Sequence, residues 1–332
     1  MIYRRLGKTG WDVSAVSLGT WQVGGRWGEP FDAALAERII ESAIERGVNL
    51  IDTADVYSDR ASEAAVGRVV RRVKARHGER VYVATKCGRF IRPHVDAGYT
   101  PATLRGYVEA SLKNSGLEAL DLIQLHCPPT AVYYRPEIFA LFDDLKAEGK
   151  IRNLGVSVEK VEEGLKAIEY PNVTTVQIIF NLFRLRPAGL FFREASARNV
   201  GIIARVPLAS GLLSGRFGRD SRFGPEDHRT FNRDGAAFDR GETFSGVNYD
   251  LGLAAVEALK ALFPREQSLA AWALRWILMF PEVSTVIPGA SRIEQLEVNI
   301  SAADLRPLTP AEMQGAAAIY ERYIKPAVHQ LW

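Results

Sequence analysis

The sequence predicts an α/β fold arranged as a (β/α)8 TIM barrel, and three observations lead there. Short apolar segments alternate with amphipathic helical patterns nearly from end to end, as in a parallel sheet wrapped by helices. The 332 residues are enough for one such barrel, and at 47% hydrophobic and 24% charged they fit a large buried core. Several apolar segments close on a polar residue, as barrel strands do when they serve a site on the C-terminal face.

Strands are expected over Val13–Gly19, Val48–Asp52, Val81–Lys86, Asp121–His126, Ile151–Ser157, Thr175–Phe180, Gly201–Val206 and Val283–Ile287. Between them, helical periodicity marks Ala33–Arg46, Ser62–Arg76, Pro101–Ser115, Pro136–Glu148, Glu159–Ile168, Ala188–Arg198 and Leu251–Leu262. Pro101 and Pro136 suit first-turn positions, and Gly47, Gly116 and Gly149 suit helix ends. Three segments lie outside the bare barrel. Met1–Trp11, punctuated by Gly7 and Gly10, reads as a β-hairpin plugging the bottom. Phe217–Tyr249, after the seventh strand, is rich in glycine and charge without a period, the mark of a lid, a binding loop or disorder. Pro310–Trp332 adds helix after the eighth strand, with Trp332 assigned either to an interface or to a frayed end. No composition break divides residues 1–332, so they read as one domain. The rival, a doubly wound sheet, needs G-x-G-x-x-G after its first strand, and the stretch from Gly19 to Gly28 lacks that spacing.

A net charge of +3, with Lys and Arg spread evenly, argues against a nucleic-acid binder. The amino end lacks an apolar signal core, and Ala270–Phe280 is too short to span a bilayer and holds Arg275. Cys87 and Cys127 give no disulfide framework. The expected setting is therefore the cytoplasm, with no membrane partner. The sequence leaves oligomeric state open.

Asp52, Lys86 and His126 each close a strand, and Tyr57 follows the first of them in a D-T-A-D-V-Y turn. A carbonyl accepting hydride needs its developing alkoxide protonated. A phenol can do this if a neighbouring ammonium lowers its pKa, and a carboxylate keeps that ammonium charged. A histidine can donate a second hydrogen bond that orients the carbonyl. Tyr57, Lys86, Asp52 and His126 suit these parts in turn. Singly, each is as readily a cap, a counter-ion or a core residue. No companion strand end carries a metal ligand at suitable spacing.

With D-T-A-D-V-Y at Asp52–Tyr57, A-T-K at Ala84–Lys86 and L-H at Leu125–His126, the chain resembles the aldo-keto reductases, in particular the bacterial branch related to potassium-channel beta subunits. The resemblance runs on through L-G-K-T-G at Leu6–Gly10, V-S-x-x-S-L-G-T-W at Val13–Trp21, G-V-S at Gly155–Ser157, V-Q-x-x-F-N at Val176–Asn181, P-L-x-S-G-L-L-S-G at Pro207–Gly215 and I-P-G-A-S-R-x-x-Q-L-x-x-N at Ile287–Asn299. It implies a (β/α)8 barrel and NAD(P)H-dependent carbonyl reduction without metal or flavin, with Tyr57 as acid, Lys86 and Asp52 as its tuning pair, and His126 as orienter.

The loops after the seventh and eighth strands are where such barrels bind phosphate. Here they offer small residues in Pro207–Arg216 and, in Pro288–Arg292, a helix start with Ser291 at its cap. By resemblance, Gly19, Thr20 and Trp21 line the nicotinamide ribose, with Asp52 nearby. Ser157 and Gln177 hold the carboxamide. Pro207, Leu208, Ser210, Gly211, Leu213 and Ser214 follow the pyrophosphate, and Gly289, Ser291, Arg292, Gln295 and Asn299 surround the adenosine. Arg292 beside a 2′-phosphate points to NADPH, with NADH possible. The chain departs from the family at Val158, where Asn is usual, and at Gln295 and Val298, which replace Arg and Glu. It also carries Arg205 where many members stack a tyrosine on the nicotinamide. A stacked guanidinium is expected to disfavour the oxidised, positively charged ring. For the substrate, a small-molecule carbonyl compound, pocket walls are expected from Trp21, Trp27, Tyr57, Phe90 and His126, with Tyr133, Tyr134 and Phe183 as further candidates. Three other readings stay open: a sugar or alcohol dehydrogenase, a cofactor-holding regulatory subunit with little turnover, and a Schiff-base aldolase acting through Lys86.

Overall fold

Runs of β-branched and aliphatic residues form eight parallel strands whose two faces are both buried. The structure, a computed structural model, describes residues 1–25, 29–77 and 80–332. A two-stranded antiparallel hairpin, β1 (Tyr3–Arg5) with β2 (Asp12–Ser14), precedes the barrel. The barrel strands are β3 (Leu18–Gly19), β4 (Leu50–Asp52), β5 (Tyr82–Cys87), β6 (Leu120–His126), β7 (Ile151–Ser157), β8 (Val173–Ile179), β9 (Gly201–Arg205) and β10 (Val283–Val286), each paired with the next. The ring closes where the N–H groups of Ser17 and Gly19 donate to the carbonyls of Val286 (2.9 Å) and Pro288 (3.1 Å). The helices Ala33–Glu45, Ala61–His77, Pro101–Ser115, Pro136–Ala147, Val161–Ala167 and Leu190–Ala197 follow β3 through β8 in turn.

Three sequence readings change. The expected strand Val13–Gly19 is two strands, because its first part belongs to the plug. Between them the chain turns on hydroxyl bonds: Thr285 Oγ1 donates to the Ser14 carbonyl (2.8 Å) and Ser17 Oγ donates to the same carbonyl (3.0 Å). The apolar run near Ala270 is a wholly buried helix, Leu269–Leu278, capped by Ser268. Phe217–Tyr249 is ordered by polar contacts that carry no period. The fully buried Asn232 accepts the N–H groups of Ala237 (2.9 Å) and Phe238 (2.8 Å) and donates to Thr243 Oγ1 (3.2 Å).

Side chains alternate along each strand, and those facing the barrel axis change character from bottom to top. At the bottom Leu50, Ala84, Leu122 and Ile203 meet Leu6 and Val13 of the plug. One step up, the same faces of β4, β5 and β6 present Asp52, Lys86 and Gln124, with Lys86 and Gln124 in register. Gly155 keeps this polar layer open, since a Cβ there would lie 2.2 Å from Thr175 Oγ1 and 3.2 Å from Gln124 Cγ. The plug is a fitted part of the core. Gly7 sits at φ +49, where an added Cβ would lie 2.2 Å from the Gly201 nitrogen, and Trp11 stacks on Tyr82 with ring centroids 4.3 Å apart.

Leu6→Ala should therefore lower the unfolding free energy by about 2–4 kcal/mol, the usual cost of emptying a closed apolar site. Urea titration followed by circular dichroism measures it, and a loss under about 0.5 kcal/mol would mean the plug is peripheral to the core.

Candidate active site

Lys86 is 1% exposed, and an ammonium so buried must place all three of its protons. It does so. Nζ donates to Asp52 Oδ1 (2.6 Å), to the Thr53 carbonyl (2.9 Å) and to the Tyr57 hydroxyl (3.2 Å). The other Asp52 oxygen accepts from the side-chain amides of Gln177 (2.7 Å) and Gln124 (3.3 Å). β4, β5, β6 and β8 thus each send one polar side chain into a single network beneath Tyr57. The phenol oxygen accepts from Lys86, so its own proton points elsewhere. Among the described residues no acceptor takes it. It faces a cavity of about 640 Å³, within the range of about 300–1,000 Å³ typical of small-molecule sites.

The electrostatics correct one expectation. Burial pushes the Tyr57 phenol above its ordinary value, and the Lys86 ammonium pulls it only part of the way back. The group is therefore a protonated acid at neutral pH, where the sequence reading had it lowered. Burial opposes the charge of Lys86, but Asp52 and Tyr57 hold its pKa above the ordinary lysine range. His126 lies edge-on to Tyr57, with ring centroids 6.0 Å apart at 81°. Burial, reinforced by Arg89, Lys86 and Arg205, pushes its pKa far down, so the imidazole is neutral. Among the described residues its buried Nδ1 has no hydrogen-bond partner, and the residue lines the cavity.

Beside His126 lies a charge cluster that the sequence did not announce. Arg89, after β5, meets Glu159 Oε1 (3.5 Å) and Glu242 Oε1 (3.4 Å), and Arg205, at the end of β9, meets the same Glu242 oxygen (3.4 Å). Burial and the Glu242 charge push Glu159 up to about 9, whereas Arg89 and Arg205 hold Glu242 below its ordinary value against its own burial. Glu159 and Glu242 come within 4.8 Å of Cys127 Sγ, a grouping of metal-ligand types beyond what the strand ends suggested. The two guanidiniums already serve its one carboxylate, Glu242. Burial pushes the Cys127 thiol up to about 12, which suits a packing residue. Arg205 is pinned by its bond to the Val158 carbonyl (3.0 Å), and Glu242 opposes the repulsion expected between its charge and an oxidised nicotinamide.

The cavity is also lined by Gly19, Thr20, Trp21, Gln177 and Arg205, by Pro207, Leu208, Ser210, Gly211 and Ser214, and by Gly289, Arg292, Gln295 and Asn299. Ser157, Leu213 and Ser291 do not line it. Ser157 and Leu213 are buried behind the wall, and the N–H and hydroxyl of Ser291 both donate to Gln295 Oε1 (2.9 and 3.0 Å). The residue capping helix Ile293–Ser301 is Arg292, which makes no side-chain cap. The Ser210 hydroxyl is already engaged, donating to the Glu242 carbonyl (3.0 Å) and accepting from Phe244 N–H (3.1 Å). A dinucleotide nonetheless fits the loops. A Cβ on Gly289 would meet nothing nearer than 3.8 Å, so backbone is open to a phosphate there.

Of the expected substrate walls, Trp21, Tyr57 and His126 line the cavity, and Trp27 lies outside the described residues. Phe90 instead packs on Tyr107 at 6.4 Å between ring centroids, Tyr133 and Phe183 are core, and Tyr134 is exposed. The missing wall is supplied by Arg89, Arg92 and, from the long loop, His228, Phe238 and Glu242. Phe238 lies 6.2 Å from Trp21 and under the Arg89 guanidinium at 5.6 Å.

Comparison with known proteins bears on this arrangement. The Aldo/keto reductase family profile matches residues 15–321. The NADH-specific methylglyoxal reductase of Escherichia coli (strain K12) is 27% identical over 318 residues, covering 90% of this chain and 93% of its own. A probable voltage-gated potassium channel subunit beta of Arabidopsis thaliana is 26% identical, covering 93% of each chain. The structure of the glycerol dehydrogenase from Gluconobacter oxydans superposes with a TM-score of 0.77 at 30% identity, covering 97% of this chain and 96% of that one. The chain is an enzyme of the aldo/keto reductase family.

Proposed function

We propose that this enzyme reduces a small aldehyde or ketone to the alcohol, with Tyr57 as proton donor and NADPH as preferred reductant. The observation that carries the reading is the phenol whose oxygen is held by Lys86 and whose proton has no acceptor among the described residues. A bound reduced nicotinamide supplies hydride to the carbonyl carbon, and the residues do the rest. His126, neutral, donates one N–H to the carbonyl oxygen and fixes its position. Tyr57 gives its proton to the same oxygen as negative charge builds there, and Lys86 stabilises the tyrosinate left behind. Asp52 keeps the ammonium charged and aimed. Lys86 is disfavoured as a Schiff-base nucleophile because its ammonium is stabilised and its protons are all committed. The same geometry in reverse would oxidise an alcohol, and turnover of glycerol with NAD(P)+ would reveal that direction. Buried free thiols suit a reducing, cytoplasmic setting.

Gly19, Thr20, Trp21 and Gln177 would hold the nicotinamide end. Leu208, Ser210, Gly211 and Ser214 would hold the pyrophosphate mainly through backbone. Arg292 would face a 2′-phosphate. Glu294 also lines this end of the cavity, and a carboxylate there favours a free ribose hydroxyl. The two together support use of both cofactors, with NADPH ahead.

Tyr57→Phe should lower kcat for methylglyoxal by about 10²–10⁴-fold while NADPH fluorescence titration gives an unchanged Kd. Turnover within about tenfold of wild type would reject Tyr57 as the acid. Arg292→Met should cost about tenfold in kcat/KM with NADPH and little with NADH, since it removes one phosphate contact. Equal losses with both cofactors would remove Arg292 from the 2′-phosphate site.

A further inference from the structure

The segment Phe238–Gly246, anchored in the core by Phe244, shapes both halves of the cavity. It lends Phe238 and Glu242 to the carbonyl side and engages Ser210 on the phosphate side. Two of its buried residues, Gly241 and Gly246, have no side chain to fasten them. What fills their place is Trp332, which is 5% exposed. A Cβ on Gly241 would lie 3.0 Å from the indole, and one on Gly246 would lie 2.2 Å from it, so only glycine lets the ring sit there. The indole N–H donates to Asp239 Oδ1 (3.1 Å) and lies 3.3 Å from Oδ2. Arg184 lies 3.8 Å from the ring centroid and donates to the Glu159 carbonyl (3.0 Å), so the stack joins the same charge cluster. Asp239 Oδ1 also accepts from Gly241 N–H (2.7 Å), capping the turn Arg240–Glu242 that delivers Glu242 to Arg89 and Arg205.

We propose that Trp332 is a positioning residue for the substrate pocket, acting through Asp239 and the turn Arg240–Glu242 to hold Phe238 and Glu242 in the cavity wall. The ring corrects the two assignments read from sequence, interface or frayed end, because it is buried within its own chain. The inference rests on the carbonyl-reducing reading only for its kinetic consequence.

The test compares the full-length wild type with Trp332→Ala and Trp332→Phe, by hydrogen–deuterium exchange and by kinetics with NADPH and methylglyoxal. In Trp332→Ala, exchange across residues 238–246 should rise about tenfold while the barrel strands keep their protection. The KM for methylglyoxal should rise about fivefold or more, with kcat within about threefold. Trp332→Phe, which keeps a ring but loses the indole N–H, should fall between. Unchanged exchange at 238–246 would overturn the proposal, as would an equal rise throughout the barrel, or exchange that rises with KM unmoved. Exchange needs no turnover, so an inactive wild type would count against carbonyl reduction, and the exchange comparison would still decide the hold.

Discussion

A buried ammonium against a buried carboxylate, Lys86 on Asp52 at 2.6 Å, governs the arrangement of this molecule's mouth. Burying either charge costs several kcal/mol, on the order of what the whole fold can spare, unless every proton and lone pair finds a partner. The sequence meets that condition from four strands. Thr53 and Tyr57 take the remaining ammonium protons, and Gln177 and Gln124 serve the far carboxylate oxygen. Satisfying the pair therefore fixes the registers of β4, β5, β6 and β8 together, and it leaves the Tyr57 oxygen open to the cavity.

The surroundings keep that network in a low dielectric. The plug seals the barrel below with Leu6 and Val13, so water reaches the polar layer only from above. Above, the loop after β9 contributes Phe238 and Glu242, and Trp21 and His228 add aromatic wall at a centroid distance of 5.1 Å. Burial raises the phenol while the ammonium restrains the rise, leaving an acid that holds its proton until the carbonyl oxygen becomes basic enough to take it. The neutral His126 fits the same scheme, since a charged imidazole beside Arg89, Lys86 and Arg205 would add a fourth cation.

Legibility in the sequence followed the source of each feature. Strands and most helices could be read because apolar periodicity encodes burial directly, and Asp52, Tyr57, Lys86 and His126 could be read because each sits at or just past a strand end. The helix Leu269–Leu278 is buried all round and has no solvent face to set it apart. The wall formed by Arg89, Phe238 and Glu242 was invisible for a different reason. Its residues come from segments with no periodicity, and their meaning lies in contacts such as Glu242 with Arg205 that join distant parts of the chain. Similarity of motif also named Ser157 and Ser291, which do not line the cavity in this chain.

The most direct measurement is a carbon-13 NMR titration of the Tyr57 ring carbon bearing the hydroxyl, in wild type and in Lys86→Met. The account predicts a phenol still protonated above its ordinary value of about 10 in the wild type, and pushed higher still once the ammonium is gone and Asp52 is left beside it. A Tyr57 resonance that titrates near neutrality, or one that does not respond to the loss of Lys86, would contradict it.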